Sequence, residues 1–315
     1  MKVIDHLSEA TETLVSFEII PPKRGGKLEN LLAVVKDLTK YKPPFIDVTS
    51  HAAEADYEET SQGLQRRVKR KRPGTAAICV LIQEHYKVDA VMHLLCNGFT
   101  REETEDLAIE LQYFGIENVL ALRGDEPNYK KPVQEGKTIN HHAVDLVKQL
   151  QDLNKGIYLG ELLDAEPMNF CVGIAGYPEK HFEAPNLQTD IDYLKEKVAK
   201  GAEYIVTQMF FDNKVYFDYV DRCKEAGITI PIIPGIKILT SKSQLTSLPK
   251  NFHLNIPYEL SEEIKTAKKK NVLEIGTRWA AKQAEELINN NVPAVHFYVM
   301  TNSNPIINVM KKLGR

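Results

Sequence analysis

The sequence predicts an α/β fold, a single (β/α)8 TIM barrel, and three features carry that prediction. Short apolar runs alternate with amphipathic helical stretches along the whole chain, in about eight units. One glycine-marked junction recurs three times between a helix and the strand that follows it. The length of 315 residues is long for one ordinary domain, yet one closed barrel absorbs it, so residues 1–315 are expected to form one domain. A doubly wound open sheet is the alternative. No GxGxxG follows the first strand, which weakens its dinucleotide-binding version.

The expected strands are, in order, "LVSFEII", "FIDVTS", "AVMHLLC", "NVLALRGD", "CVGIAGYP", "YIVTQMFF", "ITIPIIPGI" and "AVHFYVMT". Between the first two, Leu28, Leu31, Leu32, Val35 and Leu38 share one helical face, the mark of a crossover helix. The segment "TAAICVLIQEHY" reads as helix, with "RPGT" as its cap. In "TREETEDLAIELQYFG", Thr100 and Glu103 make a capping box. Gly115, Gly201 and Gly227 stand where a helix ends and a strand begins, as left-handed C-cap residues do. Residues 126–139 and 154–169 read as loops.

Composition excludes several classes. Net charge is -3 and the pI near 6.3, so no global basic surface calls for nucleic acid. The basic run "QRRVKRKR", residues 65–72, reads as a solvated face at a helix C-terminus. "KRGGK" fails the spacing of a phosphate loop. The longest apolar runs are far shorter than a membrane span, and the N-terminus lacks the apolar core of a signal peptide. Cys79, Cys96, Cys171 and Cys223 are scattered without metal-ligand spacing, as free thiols in a reducing cytoplasm would be. No metal is expected.

Glu18 stands inside an apolar run that ends in two prolines. Burying a lone carboxylate there is costly unless it is paired, protonated or used. An ion-paired strand-end residue is the bland reading. In a barrel of this kind the active site lies at the C-terminal strand ends. Polar residues recur there: Glu18, Thr49, His93, Arg123 to Asp125, Tyr177, Gln208 and Tyr298.

In this order, "VSFEIIPPK", "VTSHA", "LALRGDEP", "AGYPEKHFEA", "DIDYLKEKVAKGAEYIVTQMFFD", "IPIIPGI" and "VHFYVMT" resemble the methylenetetrahydrofolate reductase family, in its bacterial FAD-containing form. The likeness runs over residues 14–301. It implies an FAD-binding barrel that takes hydride from NADH or NADPH and reduces 5,10-methylenetetrahydrofolate to the 5-methyl form, in ping-pong order, supplying methyl groups for methionine synthesis. Glu18 matches the general acid, and Asp125 the acidic residue beside the cofactor. Thr49, Ser50, Ala52, His93, Arg123, Gly124, Ala143, Tyr177, His181, Asp190 and Lys197 match flavin-site positions. Gln208, Gln244 and Tyr298, with Glu18, fall on the substrate side. Two positions depart from the pattern: Glu196 replaces a basic flavin contact, and Asn302 an arginine after the last strand. A cytoplasmic homo-oligomer is expected, and because the barrel consumes the chain, no appended regulatory domain and no S-adenosylmethionine control are expected. Two rival readings stand beside it. One is another TIM-barrel enzyme, a flavoenzyme or an aldolase with Lys237 as Schiff-base lysine. The other is a non-catalytic folate- or nucleotide-binding module.

Overall fold

The computed structural model describes residues 1–125 and 129–315, so the start of the expected loop at 126–139 lies outside the described residues. In chain order the elements are α1 (Val3–Glu9), β1 (Leu14–Ile19), α2 (Leu28–Thr39), β2 (Phe45–Val48), β3 (Ala53–Thr60), β4 (Gly63–Arg70) and α3 (Thr75–Leu81). A π turn over Ile82–Tyr86 extends α3, and β5 (Asp89–Leu95), α4 (Arg101–Tyr113), β6 (Asn118–Leu122), α5 (Ala143–Leu153), β7 (Cys171–Gly176) and α6 (Leu187–Ala199) follow. The rest are β8 (Tyr204–Thr207), α7 (Asn213–Glu225), β9 (Ile232–Ile233), β10 (Gly235–Ile236), α8 (Gln244–Phe252), α9 (Tyr258–Thr266), α10 (Val272–Asn289), β11 (Ala294–Met300) and α11 (Asn304–Lys312).

The large sheet runs β10-β11-β1-β2-β5-β6-β7-β8-β9. Its two end strands, β9 and β10, are halves of one segment divided only by Pro234, which has no N–H to give a ladder. The Pro234 carbonyl still accepts the His296 N–H at 2.9 Å. The sheet therefore closes through that segment into a barrel of eight staves, as the sequence predicts. Gly115, Gly201 and Gly227 adopt φ of +67°, +106° and +84°, the left-handed values their junctions require. The Thr100–Glu103 box is formed in both directions, at 3.2 and 2.9 Å.

Strand alternation sorts the barrel into layers. Val15, Phe17 and Ile19 point outward into the main core beneath the helices, and Leu31, Val35 and Leu38 of α2 join them there. Inside, Phe45, Val91, Leu120, Cys171, Tyr204 and Ala294 form an apolar plug, closed by Val3 of α1. Gly173 is what admits the Tyr204 ring, since a Cβ there would lie 2.2 Å from it. On the same inward faces, buried polar groups follow: Ser16, Asp47, His93 and His296.

One expectation fails. Residues 65–72 are not a helix end; Gln65 to Arg70 lie in β4, which pairs antiparallel with β3 around a two-residue turn at Ser61–Gln62. The cause is cross-strand charge complementarity: Lys69 meets Asp56 at 2.9 Å and Arg67 meets Glu58 at 3.2 Å. "RPGT" does hold the helix cap, through backbone and not through a side chain. Gly74, at φ +94°, is the N-cap, while the Thr75 hydroxyl donates to the Thr49 carbonyl at 3.1 Å.

Candidate active site

Glu18 closes β1 with Tyr298 in register on one side and Asp47 on the other. It is buried, and burial, opposed by His93 and Lys237, raises its carboxyl pKa from 4.5 to about 7. The His93 Nε2 lies 3.7 Å from Glu18 Oε2 and 3.3 Å from Asp47 Oδ2. Burial disfavours charge on His93, but its hydrogen bond to Asp47 and the nearby carboxylates outweigh this and raise its pKa. Asp47 Oδ1 is buried with no hydrogen-bond partner. Just past β10, Lys237 donates to the Tyr298 carbonyl at 2.9 Å, and burial pushes its ammonium down to about 8 against the pull of Glu18. Glu18, Asp47, His93 and Lys237 thus form one proton-holding cluster at the top of the barrel interior.

Around this cluster the strand ends gather most of the other expected residues. Thr49 follows β2, held by its N–H to the Ile19 carbonyl at 3.1 Å, while its Oγ1 is buried and unpartnered. The Ser50 hydroxyl donates to the His93 carbonyl at 2.5 Å. Ala52 packs against Gly98, where a Cβ would come within 2.7 Å of its own. Beyond β6, Gly124 takes φ +84° and Asn97 Nδ2 donates to the Gly124 and Asp125 carbonyls at 3.0 and 3.1 Å. The Asp125 side chain is exposed, and its charge acts on both His51 and Tyr177. Tyr177 meets the His181 ring edge-on at 4.7 Å. Arg123 is ion-paired to Glu183.

A second polar group lies at β7 and α6. Asp190, in the first turn of α6, accepts the His181 N–H at 3.0 Å. Lys197, in the last turn, donates to the Ala175 carbonyl at 3.1 Å, and burial lowers its pKa to about 8 against the charge of Asp190. Ala143 opens α5. The Tyr298 hydroxyl donates to the Thr207 carbonyl at 2.5 Å, in space that Gly235 leaves open.

Two expected residues, Gln208 and Gln244, are engaged locally, and so is Asn302. Gln208 Oε1 accepts from the Met209 N–H at 2.9 Å. Gln244 Oε1 accepts from the Thr240 and Ser241 N–H groups at 2.6 and 3.0 Å, fastening the loop before α8. Asn302 is exposed and caps the start of α11 through the Asn304 N–H at 3.1 Å. Glu196 is exposed on α6. Asp47 and His51 escaped the sequence reading. Asp47 was legible, because it precedes Thr49 by two residues and so shares its inward face.

Residues 2–314 match the family model for methylenetetrahydrofolate reductase. The chain is 30% identical over 328 residues to methylenetetrahydrofolate reductase (NADH) 1 of Arabidopsis thaliana, covering all of this chain and 51% of that protein. It is 29% identical over 307 residues to 5,10-methylenetetrahydrofolate reductase of Pectobacterium carotovorum subsp. carotovorum, covering 95% of this chain and 90% of the relative. The chain thus spans about half the length of the plant and fungal relatives it matches. An uncharacterized Clostridium thermocellum protein that binds two copies of 5-methyl-5,6,7,8-tetrahydrofolic acid has the same fold, with TM-score 0.62, 12% identity, and coverage of 99% of this chain and 97% of that one.

Proposed function

The chain belongs to the methylenetetrahydrofolate reductase family, and on that premise we propose that it reduces 5,10-methylenetetrahydrofolate to 5-methyltetrahydrofolate with NADH or NADPH, using bound FAD. The observation that carries the reading is the buried Glu18 carboxyl with a pKa near 7, beside His93 and Lys237. A carboxyl so tuned can give a proton at neutral pH.

The mouth fits a hydrogen-bonding guest. Thr49 Oγ1 and His51 Nδ1 are buried without partners, and each is a group that a heterocycle's amide edge can satisfy. Thr49, Ser50, Ala52, His93, Arg123, Gly124 and Tyr177 would line the ring system, and Ala143, His181, Asp190 and Lys197 the phosphate end. FAD, when bound there, supplies the two-electron relay between nicotinamide and folate.

The chain's own residues supply the rest. Glu18 Oε2 delivers a proton to the folate ring nitrogen that leaves as the bridging methylene opens to an iminium. His93 Nε2, poised between Asp47 and Glu18, returns a proton to that carboxylate. The Asp125 carboxylate favours the cationic open form of the substrate. Gln208 orients folate and nicotinamide in turn, so both occupy one face and the kinetics are ping-pong. The product feeds methyl transfer for methionine synthesis.

The test is anaerobic. FAD-loaded protein is mixed first with NADH and then with methylenetetrahydrofolate while flavin absorbance is followed. Bleaching by NADH and recovery with folate are expected. Bleaching without recovery would assign the barrel to a different acceptor, and protein that takes up FMN in place of FAD would overturn the cofactor assignment.

A further inference from the structure

Where β1 meets β11, the ladder breaks its register at one place. Glu18 pairs with Tyr298, but the next residue, Ile19, pairs with Met300, so Val299 is an extra residue in β11. This is a β-bulge, and it lies one residue past the buried carboxyl. The Ile20 N–H reaches the Met300 carbonyl at 3.2 Å, which carries the ladder on beyond the break.

The bulge strains the backbone. Met300 takes φ +70°, a left-handed value that suits glycine or asparagine and that a long apolar side chain rarely adopts. Five other non-glycine residues with positive φ, Lys42, Lys87, Lys180, His253 and Asn291, lie outside the helices and strands. Among the described residues Met300 alone has such a φ within a strand. Strain of this kind persists only where the surroundings hold it, and it gathers at functional sites.

The surroundings here do hold it. On the other edge of β1 the Thr49 N–H donates to the Ile19 carbonyl at 3.1 Å, so β1 is fixed on both sides just past Glu18. Tyr298, the residue before the bulge, is tied across the barrel by its hydroxyl, which donates to the Thr207 carbonyl at 2.5 Å. β10 pairs with β11 only as far as Ile236 opposite Phe297, and the Tyr298 carbonyl beyond that pair accepts the Lys237 ammonium at 2.9 Å. Lys237 thus finishes the ladder with a side chain. Four titratable groups act on Glu18 or feel its charge: Asp47 on β2, His93 on β5, Lys237 after β10 and Tyr298 on β11. Of these, Lys237 is the cation seated on the bulged strand.

We infer that the bulge is a positioning device and Met300 its positioning residue: the left-handed turn fixes the Tyr298 carbonyl, and through it the Lys237 ammonium, in place beside Glu18. Released into a regular strand, β11 would draw that carbonyl out of line, and Lys237 with it. Lys237 lowers the proton affinity of Glu18, so its retreat raises that affinity. The catalytic consequence rests on the proton-donor role proposed above; the placement does not.

The experiment titrates Glu18 itself. The carboxyl band present in the parent and absent from Glu18→Gln is followed by infrared spectroscopy against pH in the full chain. The variants are Met300→Gly, Met300→Asn, Met300→Val, and Met300→Val combined with Lys237→Met. Glycine and asparagine accept the left-handed turn, whereas β-branched valine opposes it while staying apolar. Met300→Val should raise the midpoint by about half a pH unit or more, about threefold in proton affinity, and the Gly and Asn variants should keep the parent's value. Added to Lys237→Met, the Val substitution should shift nothing further. Met300→Thr repeats the test with a milder bias, and melting curves verify that each protein is folded. An unmoved midpoint in Met300→Val would overturn the inference. So would equal shifts in the Gly, Asn and Val variants, the mark of a side-chain contact, or a full shift retained beside Lys237→Met. Midpoints that move as stated in a protein that never reduces folate would uphold the placement and refute the proposed function; folate reduction with midpoints unmoved would do the reverse.

Discussion

Replacing Glu18 with Gln tests the proton-donor assignment by two independent readouts. In the folded protein the carboxyl titrates near 7, against 4.5 when solvated. At about 1.4 kcal/mol per pH unit, that difference is worth about 3 kcal/mol. Its direction follows from proton uptake. Between those pH values the native state keeps a proton that the unfolded chain has lost, so parent stability falls as pH rises through this window and stays lower above 7. Gln cannot ionise. Its stability relative to the parent should therefore improve by about 3 kcal/mol between pH 5 and pH 8, measured by urea unfolding at both. Catalysis should move the other way. In rapid mixing, the folate half-reaction of the variant should fall about 10²- to 10⁴-fold, the usual value of general-acid help, while oxidation of NADH keeps its rate. In the parent, folate reduction should decline as pH rises through about 7. A structural ion pair with His93 predicts otherwise: a loss of about 3–5 kcal/mol with His93 stranded, and both half-reactions impaired alike. That result, with no pH-dependent gain, would refute the assignment.

Three further outcomes follow from the geometry. Asp125→Asn should raise the reduction potential of the bound cofactor and slow folate reduction more than NADH oxidation, by spectroelectrochemistry and stopped flow. Lys237→Met removes a cation that lowers the Glu18 pKa, so the pH profile of folate reduction should shift to higher pH; an unmoved profile would detach Lys237 from the cluster. Gly173→Ala places a Cβ 2.2 Å from the Tyr204 ring and should cost about 1–3 kcal/mol, read as a lower melting temperature with the Glu18 pH profile unchanged.

The eight staves, their order and the glycine-capped junctions were legible in the chain because each is a local rule. Short apolar runs make buried strands, apolar stripes make crossover helices, and a glycine just past a helix takes the left-handed turn. Glu18 stood out for the same reason: a charge within an apolar run conflicts with its neighbours whatever the fold. Asp47 obeyed the same alternation through Thr49 and could have been read. What only the tertiary structure decided was what those residues face. Lys237 reads in the sequence only as a rival reading's Schiff-base lysine, until barrel closure brings it to the Tyr298 carbonyl and within the field of Glu18. The basic run after residue 64 is equally a helix end or a strand by composition. It became a strand because the acids of β3 align with it across a turn, and alternation then turned Arg66 and Arg70 to the other face, opposite Tyr57 and Ala53. Charges that cancel or strand one another do so across space, and the linear sequence holds the partners without their distances.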